Sequence, residues 1–135
     1  MSLKTVLVDI NLVAVLVAGV AHMVIGLIWF MPRFFGKQWM ELTRQEMKPD
    51  RNWVPAGVVG HLVIALVLAV VVTFANATTA VDGCVVGLLM WLGFVVTLEV
   101  GELAWEKIPF KLFMIRIGNH FVGLSVAGAI LAVWR

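Results

Sequence analysis

The stretch "AVDGCVVGLLMWLGFVVTLEVGELAWEK", residues 80–107, is apolar for most of its length and then carries Glu99, Glu102 and Glu106 at spacings of three and four. A helix needs roughly 20 residues to cross a hydrocarbon core, and those spacings put the three carboxylates on one stripe of such a helix. The stretch therefore predicts a membrane span over about 80–103 whose end is marked by acids. Working outward, three further apolar runs have the required length, at about 10–31, 54–75 and 111–134. The expected fold is all-α: an integral membrane four-helix bundle forming a single transmembrane domain over 1–135. Composition agrees, with 62% hydrophobic and 13% charged residues, where soluble domains carry about 25% charged. The first run is too long for the apolar region of a signal peptide and is read as a span.

Charge position says more than charge total. Arg33, Lys37, Arg44, Lys48 and Arg51 lie in the first connection and Lys107 and Lys111 at the third, while the other side has only Lys4 and Arg135. The positive-inside rule then places connections one and three in the cytoplasm and both termini outside, in a cell (inner) membrane. The net charge of +2 and the lack of a soluble domain argue against a nucleic-acid partner. The lone Cys84 excludes an internal disulfide framework and a multi-thiolate zinc site. Asp9 and Asp82 are expected at the starts of spans one and three, where a negative charge complements the helix dipole. Pro32 stops the first span, Pro55 opens the second and Pro109 precedes the fourth.

The longest connection, "PRFFGKQWMELTRQEMKPDRNW", residues 32–53, has its own periodicity. Phe35, Trp39 and Leu42 share one helical face, with Lys37, Arg44 and Lys48 opposite, which predicts an amphipathic helix anchored in the cytoplasmic interface. Trp29, Trp39, Trp53, Trp105 and Trp134 fall near span ends, as belt residues do; Trp91 alone lies mid-span. Gly83 and Gly87 form a GxxxG pair, and Gly123 and Ala127 repeat the spacing, marking close helix approaches within the chain or in a homo-oligomer.

Polar groups inside spans are costly and usually turn inward. Counted from the cytoplasmic end of each span, His22, His61, Asn119 and His120 lie about 10–13 Å deep, and Glu99 and Arg116 about 6–7 Å. Three histidines from three helices thus reach one level. Glu99 and Arg116 face each other in depth on consecutive antiparallel spans, which allows an ion pair, and Glu102 lies near the surface. Asn11, Val15, Ala18, His22, Gly26 and Trp29 form one stripe; Arg116, His120, Gly123 and Ala127 form another.

"INLVAVL", "AGVAH" and "GLIWFMPRFFGKQW", beginning at Ile10, Ala18 and Gly26, together resemble the signature of an uncharacterised bacterial membrane family, the domain of unknown function numbered seventeen sixty-one. Asn11, Gly26, Trp29, Phe30, Pro32, Phe35, Gly36, Lys37 and Trp39 carry the match, with Phe30 where the family usually has Tyr. The resemblance runs on through "GLLMWLGFVV" at residues 87–96. It implies four helices in a small integral membrane protein and supplies no activity.

Three functions suit these residues. The first is a site binding or moving a small solute, ion or proton at His22, His61, Glu99, Glu102, Arg116, Asn119 and His120, in a chain embedded in lipid and self-associated. The second is a structural or regulatory membrane subunit acting through helix packing and the interfacial helix. The third is a metal or haem protein with histidine ligands, although the Glu-x-x-His spacing of di-iron bundles is missing; no particular cofactor is indicated. Ser125 has no nucleophile elbow around it, so no hydrolase and no other enzyme is expected.

Overall fold

The computed structural model describes residues 1–134; Arg135, one of the two bases counted on the side of the termini, lies outside the described residues. Among the described residues there is helix and no strand: α1 (Leu3–Asp9), α2 (Leu12–Trp29), α3 (Gly36–Thr43), α4 (Val54–Phe74), α5 (Ala80–Met90), a π-helical stretch (Trp91–Val96), α6 (Thr97–Trp105) and α7 (Phe110–Val133). The four spans are α2, α4, the continuous α5–π–α6 unit over Ala80–Trp105, and α7, each long and apolar enough to cross a membrane.

Local chemistry sets the boundaries. The Asn11 side chain accepts from the backbone N–H groups of Val13 and Ala14 and so starts span one. Asp9, expected at that start, instead closes the short helix α1, which hydropathy alone does not reveal. Ser2 caps α1, and Val6 is its one buried side chain. Span three opens on a capping box in which Thr79 and Asp82 satisfy each other's backbone N–H groups. Pro55 occupies the first turn of span two, and Pro109 is the N-cap of span four. Helix α3 stops at Thr43 because Arg44 turns left-handed at φ 56°. Lys48 therefore lies beyond the helix, ion-paired to Glu46 at 2.7 Å in solvent. The start of α3 folds back on the end of span one, with Trp29 and Phe35 rings 4.5 Å apart and Phe30 and Trp39 rings 6.4 Å apart.

Span four is the centre of the bundle and packs on all three others. The core is small-chained, with Ala14, Ala18, Ala65, Ala69, Ala127 and Ala132 among Val15, Leu68, Val72 and Leu131. Large apolar side chains such as Leu12, Leu27, Val63, Phe94 and Leu98 point outward. That inversion suits a hydrocarbon solvent, where close backbone approach and not burial of bulk holds helices together.

Spans three and four come closest. A Cβ added to Gly83 would collide with the carbonyl of Gly128, and one added to Gly87 with the carbonyl of Leu124. The GxxxG pair is thus consumed within the chain, and Ala127 is fully buried. Spans two and three, by contrast, share few contacts although they are consecutive.

The π-helical stretch changes what span three can present to span four. Gly83, Gly87, Trp91 and Glu99 all meet span four, yet on a straight α-helix the last would be turned roughly 160° from the first. The wider turn of Trp91–Val96 absorbs that drift and keeps positions four apart in one stripe.

Candidate functional site

The site grows from His22. Its imidazole is 1% exposed and lies between His61, with ring centroids 5.0 Å apart, and His120, at 5.6 Å. Two glycines make this possible. Any Cβ on Gly123 of span four would collide with the His22 ring, and a Cβ on Gly19 of span one would come within 3.0 Å of Leu62 and 3.3 Å of the His61 carbonyl. Glycine at 123 admits the ring, and glycine at 19 lets span two close on it.

The three histidines differ in what holds them. His61 has Nδ1 2.8 Å from the Gly57 carbonyl, one turn back on its own helix. A carbonyl only accepts, so that nitrogen donates, which leaves Nε2 as the free position. Among the described residues, His22 has no hydrogen-bond partner on either ring nitrogen, and the buried Oδ1 of Asn119 also lacks one. Asn119 faces span one, with its amide oxygen 3.7 Å from where a Cβ of Gly26 would sit.

One turn nearer the acid-bearing end is the charged group. Arg116 Nη1 is 3.5 Å from Glu99 Oε2 and 4.0 Å from Glu102 Oε2. The buried Glu99 Oε2 makes no hydrogen bond, so its link to Arg116 is electrostatic attraction at a distance longer than a closed hydrogen bond. Glu106, beyond the span and fully exposed, has its carboxyl held above the usual range by its hydrogen bond with Glu102 and by the charge of that neighbour.

Two indoles brace this region. Trp29 of span one donates to the Ile115 carbonyl at 3.0 Å, and Trp91 of span three to the Ile117 carbonyl at 2.7 Å. They grip span four on either side of Arg116. Trp29 is therefore fastened into the bundle over Gly118, where an interfacial belt was expected, and a mid-span indole N–H needing an acceptor was the available signal for Trp91.

The layer opens sideways. A groove of about 440 Å³ lies between spans two and three, with His22 and His120 among its lining and Val63, Val67, Met90 and Phe94 along its walls. Among the described residues, no three His, Cys, Asp or Glu side chains are grouped closely enough to hold a metal ion, so the histidine ligands of the expected metal alternative are not gathered at one point. Ser125 donates to the Phe121 carbonyl on its own helix at 2.6 Å. Phe35, Lys37, Trp39 and Leu42 lie on or beside α3, away from the histidine layer.

The family described as "Protein of unknown function (DUF1761)" matches residues 13–132, and the chain belongs to it. No curated protein and no solved structure matches the chain.

Proposed function

We propose that this member of the DUF1761 family is a multi-pass inner-membrane protein that binds a small solute, ion or proton at the layer of His22, His61 and His120. The charged group of Glu99, Glu102 and Arg116 forms the entrance from the cytoplasmic side. The observation that carries the reading is His22: an imidazole buried to 1% with neither nitrogen partnered. A buried polar group without a partner costs about 1–3 kcal/mol, and a span is the place where such a cost is least easily hidden. A ligand or proton at this level supplies the missing partner.

Binding is favoured over passage through the bundle. Beyond the histidines the interior closes on Val15, Ala18, Leu68, Leu124 and Ala127, all buried and apolar. In this reading the basic connections put both termini outside, and the protein is not an enzyme. Self-association belongs to the lipid-facing surfaces, because the glycine pairs are used inside the chain.

The competing reading makes the histidines packing elements in a structural or regulatory subunit, and it is favoured by the direct ring contacts around His22. Nitrogen-15 NMR of the histidine rings in lipid bilayers separates the two. The binding reading expects the three rings to respond together to pH or to small probes such as acetate and ammonium, and His120→Gln to change the response of His22. Independent, unresponsive rings, with histidine variants that change only thermal stability, would assign the layer to packing.

A further inference from the structure

We propose that the groove between spans two and three holds the apolar chain of a long-chain carboxylic acid, with the carboxyl group hydrogen-bonded to His22 and His120. The inference rests on the binding reading of the histidine layer and names the class of ligand that the layer receives.

Its first support is the pattern of the lining. Among the described residues that line the groove, His22 and His120 are polar, and the rest are aliphatic, Met90 or Phe94. A volume of about 440 Å³ falls within the usual range of small-molecule sites, roughly 300–1,000 Å³. Polar recognition at one end and a long apolar wall beyond it describe an amphiphile.

Access gives the second support. Val63, Val67 and Phe94 are each more than half exposed, so the groove faces the acyl region of the bilayer and is entered from the side. It exists because the facing walls are branched and bulky, without the glycines that let spans three and four close.

Depth and charge select the head. The histidine layer lies about 10–13 Å below the surface at which Glu102 and Lys107 emerge, beneath the level of phospholipid headgroups. A head that sits there must be small. None of the described residues lining the groove is Arg or Lys, so a phosphate would meet no fixed cation among them. A carboxyl group both donates and accepts a hydrogen bond, which complements a neutral imidazole with one donor and one acceptor nitrogen. Polarity also agrees: from the histidines the lining runs along span two from Val63 to Val71, about 12 Å away from the charged end. The chain then points to the bilayer midplane, as a fatty acid in that leaflet does.

The test uses the full-length protein in nanodiscs and tritiated palmitic acid as probe, with hexadecane and palmityl alcohol as competitors. Val67→Trp fills the groove from an exposed position and leaves the core untouched. The proposal expects saturable palmitate binding, at least a tenfold loss in Val67→Trp and in His120→Gln, and little competition by hexadecane. Unchanged binding in Val67→Trp, or hexadecane competing as well as palmitic acid, would overturn it. Palmityl alcohol competing as well as the acid would also overturn it, since the carboxyl would then not be read. Histidine NMR on the same samples keeps the two readings apart. Rings that respond to pH or acetate while palmitate fails remove the amphiphile alone; rings that respond to nothing remove the binding site with it.

Discussion

Span three has two neighbours and treats them in opposite ways. Toward span four it presents Gly83 and Gly87, so close that no Cβ fits against the facing carbonyls. Toward span two it presents Met90, Phe94 and Val95, and a groove remains. Both faces are apolar, so hydrophobicity does not distinguish them. What differs is whether the backbones can approach: in lipid, burying a Phe gains little that the acyl chains do not already supply, while a glycine seam gains dispersion contacts along its whole length.

The comparison can be broken most directly at the seam. Gly87→Ala sets a methyl group against the Leu124 carbonyl, and backbone cannot rotate away as a side chain can. We expect a loss of about 3 kcal/mol, read by thermal unfolding in detergent; an unchanged melting temperature would show that spans three and four have slack. Next comes Gly123→Ala, where the methyl group meets the His22 ring, itself held between two other rings. About 2 kcal/mol is expected, together with a shifted His22 ring resonance. A stability loss without that shift would mean the ring is not where the strain falls.

Arg116→Leu follows. It leaves Glu99 without its cation, but both side chains are partly exposed, at 32% and 23%, so the cost is discounted to about 1–2 kcal/mol. Removing Glu99 as well, as Glu99→Leu in the same chain, is expected to recover most of that loss. The smallest effect sharpens the contrast from the other side. Gly93 has open space where a Cβ would go, so Gly93→Ala is expected to raise stability by about 0.5 kcal/mol through helix propensity. A loss there as large as at Gly87 would dissolve the distinction between seam and open face.

Much of this architecture is legible in the residues. The four spans follow from hydropathy, since continuous apolar runs of this length satisfy their backbones in lipid as helices, and the observed ends differ from the expected ones by a residue or two. Depth is equally readable: a fixed rise per residue puts His22, His61 and His120 at one level, and the structure places the rings of His61 and His120 against that of His22. Rotation about each helix axis is not readable this way. Thus the fastening of Trp29 into span four was missed, because an indole near a span end suits lipid headgroups equally well. Helix α1 was missed because seven residues carry too little periodicity. The groove was hidden for another reason: consecutive elements are usually neighbours, and nothing in the sequence of either wall declares that spans two and three stay apart.

The wide turn at Trp91–Val96 sets a rule about chain length that residue type does not convey. A chain one residue shorter in that segment would have almost the same hydropathy profile and would still span the membrane. Because a π-helical turn holds one more residue than an α-helical turn, the shortened segment closes as plain α-helix and keeps Glu99 facing Arg116. Within that short window span three has room to lose a residue, whereas the same deletion in the α-helical turns on either side would swing Glu99 by about 100° around the axis and off Arg116.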